Sequence, residues 1–366
     1  MTLVIVVAVK NINNVMEKGN YFVGLMSGTS LDGVDCVVYD FIKNKLIASS
    51  FTPYKDELKQ KIKALAITPS LANIANLDIE LCDIYSNCVL NLLTKYKISK
   101  TDIIAIGSHG QTIFHSPKLY SWQLGSGSMI AKKTKICTIS DFRTADILAG
   151  GQGAPLTPKY HQYILNGDGT IVNLGGIANI TIINNGKVIG FDTGPANTLI
   201  DNYMLKIKGV SFDKDGLFAR SGVIINDLLA KMLRDDYFKL QAPKSTGVEY
   251  FNLKWLDEFL QGDENSQDII CTLTEFTAKT ISKCLTNGKV YFCGGGVLNH
   301  FLMERLQCLN PDCKILTTND LGVHPNFVEA VAFGYLAKLH IEKKSANLLS
   351  VGGAIKKVIL GIKHNG

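Results

Sequence analysis

One order of elements is written twice along this chain, and few folds accommodate that. Short runs that alternate apolar and polar residues open the first half: "YFVGLMSG" (21–28), "VDCVVYDF" (34–41) and "LIASSFTPY" (46–54). Gly-rich and Lys-Asn-Lys turns separate them, which predicts a three-strand antiparallel meander. Apolar residues at three- and four-residue steps then predict a helix over 76–96, a strand over 102–110, a short helix near 126–134 and a strand over 136–142. The second half repeats the order with strands over 169–176, 177–184 and 187–194, a strand over 289–296, a helix over 299–309, a strand over 313–320 and a helix through "VEAVAFGYLAKLHIEKK". Extra helices at 196–207, 223–233, 252–261 and 268–286 are inserted within it. This duplication predicts two related α/β units around a cleft, each offering its first hairpin to a ligand.

Length agrees, since 366 residues exceed the usual size of a single core. With 46% hydrophobic and 19% charged residues the chain is neither disordered nor fibrous. A net charge of +6 is spread along the sequence, and the basic trio Lys356, Lys357 and Lys363 reads as a solvated face, so no nucleic-acid partner is expected. The nine cysteines form no Cys-x-x-Cys pair and lie largely in apolar stretches, which points to a reducing, cytoplasmic compartment. There the sequon Asn179-Ile180-Thr181 is without consequence. The opening "MTLVIVVAVKNINNV" is too short to span a bilayer and lacks the features of a signal peptide. We read it as a non-functional extension, with Met16 as a plausible start, and expect no membrane partner.

Chemistry concentrates in turns. "GLMSGTSLDGVD" places Gly28 and Gly33 where a backbone can approach a phosphate closely, Ser27, Thr29 and Ser30 as hydroxyl donors, and Asp32 and Asp35 as carboxylates suited to a hydrated magnesium ion or to orienting a hydroxyl. It is not a P-loop, because no Gly-Lys-[Ser/Thr] ending or helix follows. Taken alone, a plain hairpin turn is the commoner outcome for such a stretch. "NLGGIANIT" (173–181) occupies the matching place in the second half with Gly175 and Gly176, and "FCGGGVLN" (292–299) ends a buried strand in Gly294, Gly295 and Gly296 before a helix. Amides at that helix start suit a nucleotide. Three glycine-tipped strand ends at matched positions are far more specific than one.

Polar residues at other strand ends complete the pattern. Asp192 in "FDTGP" leaves a strand beside a Gly-Pro turn, where it suits a general base or, more blandly, a cap for the next helix. His109 and Gln111 in "SHGQT", and Asp141 and Arg143 in "DFR", end strands of the first half. Arg143 suits a carboxylate ligand, while a buried, satisfied histidine is an equal reading of His109. Glu329 opens the last long helix, where its charge would also favour the helix dipole.

The sequence of loops resembles the actin, hexokinase and heat-shock ATPase superfamily. More closely, "GLMSGTSLDGVD", "GSHGQTIFH", "DFRTADILAGGQGAPLTP", "NLGGIANI", "FDTGPANTLID", "DKDGLFARSG" and "APKSTGVEYFN" together are similar to the anhydro-N-acetylmuramic acid kinase family, from about residue 21 to the C-terminal helix. That resemblance implies a duplicated actin-like ATPase (ribonuclease H-like) α/β fold. It divides the chain into an extension over 1–20, a first domain over 21–147 completed by residues 340–366, and a second over 148–339, with "LAGGQGAPLTP" as crossover. It implies an ATP- and magnesium-dependent kinase of peptidoglycan recycling that phosphorylates O6 of 1,6-anhydro-N-acetylmuramic acid while water opens the anhydro ring. Asp192 would be the base. Nucleotide would meet Gly28, Thr29, Ser30, Leu31, Asp32, Gly33, Val34, Asp35, Asn173, Gly175, Gly176, Gly294, Gly295 and Gly296, with Asp32 the candidate for magnesium. The sugar would meet Ser27, His109, Gln111, Asp141, Arg143 and Glu329, and the assembly would be a homodimer.

Three positions depart from the family pattern: Val248 stands where arginine is usual, Leu298 where polar residues such as arginine are frequent, and Asn326 where an aspartate is often seen. The alternatives are a kinase of another sugar or sugar acid on the same fold, and a protein-binding actin- or chaperone-like ATPase. The two halves leave no room for the additional module the latter needs.

Overall fold

The computed structural model describes residues 19–366, so most of the predicted extension over 1–20 lies outside the described residues. Two compact units divide the chain: one made of the residues up to Tyr160 together with Phe327–Gly366, the other of His161–Asn326.

In the first unit β1 (Tyr21–Met26), β2 (Gly33–Asp40) and β3 (Lys45–Pro53) form the expected meander, β1 pairing antiparallel with β2 and β2 with β3. β4 (Ile103–Ser108) lies parallel to β1 on its other side. A separate hairpin, β5 (Gln111–Ser116) and β6 (Tyr120–Leu124), precedes β7 (Thr138–Ser140), which runs parallel to β4. In the second unit β8 (Gly169–Leu174), β9 (Ile177–Asn184) and β10 (Lys187–Pro195) form another antiparallel meander, and β11 (Gly288–Cys293) and β12 (Cys313–Thr317) add in parallel beside β8. β13 (Ile362–His364) closes the first sheet against β7. The sheet orders β13-β7-β4-β1-β2-β3 and β10-β9-β8-β11-β12 are one topology used twice, with β13 added. This is the duplicated actin-like ATPase fold.

The strand period of two sorts β1 between two helices. Val23 and Leu25 face a core shared with Leu77, Leu81, Tyr85 and Val89 of the helix Leu71–Lys95. The other face of the first sheet takes the helix Val328–Ile341, whose Tyr335 ring lies 5.5 Å from Phe41. That helix is apolar all round and correspondingly buried on almost every side. It approaches so closely that a Cβ at Gly24 would strike the Ala330 carbonyl, and one at Gly107 the Phe333 carbonyl. Two glycines in adjacent parallel strands thus serve as a seat for a helix backbone. The sequence reading ran the second half to residue 339; packing on β1 and β4 instead assigns this helix to the first unit, and the second unit ends at Asn326.

Several elements have no counterpart in the sequence pattern, among them the helix Pro158–Leu165, β13, the helix Asp56–Ile67 and the hairpin β5–β6. The helix Asp56–Ile67 buries Leu58, Ile62 and Leu65 at helical steps, and the hairpin β5–β6 follows "SHG" directly. In the second unit one layer packs Val172, Ile180 and Phe292 against Ala278, Ile281 and Leu302, and a second joins Tyr203, Phe251, Trp255 and Phe276.

Candidate functional site

In the first unit the β1–β2 turn is held from beneath by side chains. Ser27 is 2% exposed; its Oγ lies 2.7 Å from the Tyr85 hydroxyl and donates to the Gly110 carbonyl at 3.1 Å. Gln111 Nε2 donates to the Gly28 carbonyl at 3.2 Å, and its Oε1 is buried without a hydrogen bond among the described residues. Thr29, Ser30 and Asp32 are exposed at the tip, whereas Leu31 and Val34 bury their side chains, leaving only main chain for a ligand. The glycines differ from expectation. Leu31, not Gly28 or Gly33, takes the left-handed conformation, at φ 59°. A Cβ at Gly33 would strike the Thr52 carbonyl, so that glycine serves the approach of β3.

His109 and Arg143 form one unit. Arg143 donates through one terminal nitrogen to the Gly153 carbonyl and through the other to His109 Nε2, both at 2.7 Å, and His109 Nδ1 lies 3.3 Å from the Ser27 carbonyl. Burial, then the adjacent guanidinium, push the His109 pKa down to about 3, so the ring is neutral, Nδ1 carries the proton and Nε2 accepts. Arg143 is lowered by burial to about 10 and stays cationic at neutral pH, with its Nε buried and without a hydrogen bond among the described residues. Glu329 is raised by burial and drawn back down by Arg143. Asp35 is raised to about 8, first by burial, then by Glu329 and Asp32. The first unit therefore gathers a guanidinium with a spare donor, a neutral imidazole and a carboxyl that keeps its proton at pH 7. Asp141 does not join them: at φ 53° it accepts from Thr144 N at 3.2 Å and turns the chain into a short helix.

In the second unit the β8–β9 turn is held by the start of one helix, through its main chain and the Asn197 side chain. The Leu174 and Gly175 carbonyls accept from Asn197 Nδ2 at 3.0 and 2.8 Å, Gly175 O also takes Asn197 N at 3.1 Å, and Gly176 O takes Ala196 N at 2.9 Å and Thr198 N at 3.1 Å. Across a trans peptide each N–H points opposite the preceding carbonyl. The Gly175 and Gly176 amides are thereby aimed away from the helix Asn197–Lys208, as an anion cradle requires. Gly294 (φ 85°) and Gly296 let the end of β11 close on β8: a Cβ at Gly294 would strike Asn173 and the Leu174 carbonyl, and one at Gly296 the Leu174 side chain. Gly295 is exposed with open space around it. The helix expected straight after these glycines begins at His300, beyond a 3-10 turn over Gly295–Leu298. Asn299 caps it by accepting from Leu302 N at 3.0 Å, so its first amides are partly committed to the protein.

Asp192 sits at a bulge, since the β9–β10 register shifts between Asp192 and Gly194. Bulges re-aim side chains. Its Oδ2 accepts from Thr246 N at 3.0 Å, and its Oδ1 carries no hydrogen bond among the described residues. The cap residue of the helix Asn197–Lys208 is Ala196, without a side-chain bond, so helix capping does not account for Asp192. Burial raises this carboxyl to about 6, against a smaller lowering by the Thr246 amide.

Several supporting residues were not singled out in the sequence: Asp146, whose Oδ2 accepts from Gly153 N at 2.8 Å and so sets the carbonyl that holds Arg143; Asn197 under the second turn; and Thr246 on Asp192. All three lie inside motifs quoted for resemblance, which was the available signal. Of the departures, Val248 stands against Gly176, Leu298 is exposed, and Asn326 buries its Oδ1 without a hydrogen bond among the described residues.

Comparison with known proteins follows the same motifs. The family model described as anhydro-N-acetylmuramic acid kinase matches residues 20–365. Proteins of that name from Coxiella burnetii and Pasteurella multocida are each 42% identical, over 363 and 364 residues, covering 94% of this chain and 97% of theirs. One from a Shewanella species is 44% identical over 361 residues, covering 93% of this chain and 97% of its own.

Proposed function

This chain belongs to the anhydro-N-acetylmuramic acid kinase family, and from that premise we propose that it phosphorylates O6 of 1,6-anhydro-N-acetylmuramic acid with ATP while water opens the anhydro ring. The products are N-acetylmuramic acid 6-phosphate and ADP. Asp192 is the base. The observation that carries this reading is its divided carboxylate, with one oxygen anchored on Thr246 N and the other open. Raised only to about 6, it is ionised at neutral pH and basic enough to take a proton from water. The water oxygen bonds to C1, the C1–O6 bond breaks, and O6 attacks the γ-phosphorus as ADP leaves.

Arg143, held in place by neutral His109 and the Gly153 carbonyl, supplies the cation for the lactyl carboxylate. Gln111 and Glu329 contact the sugar, and the protonated Asp35 donates where an ionised carboxylate would repel phosphate. The β1–β2 turn and the Gly175–Gly176 amides take the ATP phosphates, and the Gly294–Gly296 segment the adenosine side. Among the described residues no group of three or more histidine, cysteine or acidic side chains forms a metal cage. That suits magnesium, which keeps its waters and binds through phosphates and one or two carboxylates. Asp32, exposed at the turn tip, is the candidate ligand, and the ion would neutralise phosphate charge. All nine cysteines are free, and no described helix is long and apolar enough to cross a membrane. The cytoplasmic placement and the homodimer are proposed from the family alone.

The test is a coupled assay with the anhydro sugar, ATP and magnesium in oxygen-18 water. Label at C1 of a 6-phosphorylated product, with turnover collapsing in Asp192→Asn, supports both reaction and base. ATP hydrolysis without sugar phosphate, or an Asp192→Asn enzyme as fast as wild type, rejects the reading.

A further inference from the structure

The motif "APKSTGVEYFN" supplies no ligand in the reading above, yet its main chain meets Asp192 twice. Asp192 N donates to the Lys244 carbonyl at 3.0 Å, and Thr246 N donates back to Asp192 Oδ2 at 3.0 Å. Residues 244–246 thus run along β10, the edge strand of its sheet. They are braced at both ends. Lys244 Nζ donates to the Tyr237 carbonyl at 3.0 Å and lies 4.3 Å above the Tyr237 ring, while the Tyr237 hydroxyl donates to the Asp192 carbonyl at 2.6 Å. Downstream, the Tyr250 hydroxyl and Trp255 Nε1 donate to Asp235 at 3.0 and 2.8 Å, and Asp235 also accepts from Tyr237 N at 2.8 Å. Phe251 is fully buried between them.

We propose that Thr246 is a positioning residue for the reaction: its main-chain N–H, aimed by the Tyr237–Lys244 brace, pins Oδ2 of Asp192 so that Oδ1 alone is presented to the attacking water. The proposal rests on Asp192 being the base. A carboxylate turns readily about its last torsion and offers either oxygen. A fixed amide removes that freedom before the reaction and favours the charged form. A backbone donor does this without titrating and without a side-chain rotamer of its own. The other groups around Asp192 do not replace it. The Tyr237 phenol and the Cys284 thiol that acts on it are both pushed up by burial and stay neutral in the working range, and the Lys244 ammonium is committed to the Tyr237 carbonyl and lies within reach of the Lys283 charge.

The test replaces the Thr246 amide by an ester, which exchanges N–H for O and keeps the side chain. In wild type kcat/KM falls on the acid side as Asp192 protonates. The ester moves that limb up by roughly one pH unit and lowers kcat by about tenfold, with KM for ATP unchanged. Two outcomes overturn the proposal while leaving Asp192 as base: a limb that stays put in the ester, or one that moves equally in Thr246→Ala, which retains the N–H. A wild-type enzyme without the limb, or an active Asp192→Asn enzyme, instead removes the reading beneath it. Should the ester fold poorly, the Thr246 amide resonance of the native chain decides. It titrates with Asp192 in wild type and is flat in Asp192→Asn if the bond is made, and a flat wild-type titration refutes it.

Discussion

The first hairpins of the two units occupy the same place in one topology and are built by opposite means. The β1–β2 turn is fixed by side chains reaching up from elsewhere in its unit: Tyr85 on Ser27, Gln111 on Gly28, His109 toward the Ser27 carbonyl. The β8–β9 turn is two glycines whose carbonyls are taken almost entirely by the N-terminal turn of the following helix and Asn197. Their carboxylates diverge as well: Asp35 is lifted to about 8 and holds its proton at pH 7, while Asp192 reaches only about 6 and releases it. A duplicated fold therefore yields one half suited to recognition by neutral and cationic side chains and one suited to proton abstraction beside a main-chain anion cradle.

The largest effect separates the carboxylates. Asp192→Asn should lower kcat/KM by roughly 10²–10⁴-fold, the range of a lost general base, and the wild-type profile should fall as pH drops through about 6. If Asp35→Asn instead takes the larger loss in the same steady-state assay, the roles of the halves are exchanged. Next comes Arg143→Lys, which loses the planar fork shared by His109 and the Gly153 carbonyl. KM for the anhydro sugar should rise about tenfold to a hundredfold with KM for ATP little changed. Equal rises in both constants would deny the first half its share of recognition.

These residue types were legible in the sequence because glycine, aspartate and arginine at strand ends are conspicuous. What held them was not. Gly24 and Gly107 read as ordinary strand residues, and only the helix lying on them explains why neither carries a side chain. Gly33, which the sequence suggests for phosphate, also seats a strand, and a turn glycine and a close-approach glycine look alike in one dimension. The meanders were visible through their period of two. The partnership of Asp192 with Thr246 spans 54 residues and uses a main-chain atom, which no pattern of side chains reveals.

Two smaller effects sharpen the contrast. Gly294→Ala places a side chain at φ 85° against Asn173 and the Leu174 carbonyl. It should cost about 1–3 kcal/mol of strain, lower the melting temperature and weaken ATP binding by calorimetry, whereas Gly295→Ala, with open space around it, should melt as wild type. Asp35→Asn should be the mildest in stability and opposite in sign. A carboxyl raised to about 8 penalises folding from roughly pH 4 upward, increasingly until it ionises in the folded state, so the asparagine should raise the melting temperature more at pH 8 than at pH 5. A gain that shrinks with rising pH would contradict the buried, proton-holding Asp35.

The helix on Gly24 and Gly107 carries a consequence for how the chain is made. The second unit is one continuous stretch, His161–Asn326, but the first waits for Phe327–Gly366. Emerging from a ribosome, β1 and β4 present a face with nothing to cover it until almost the whole polypeptide has been synthesised. The half that is written first is the half that is finished last, and in the interval its glycine seat lacks the helix that covers it in the folded chain.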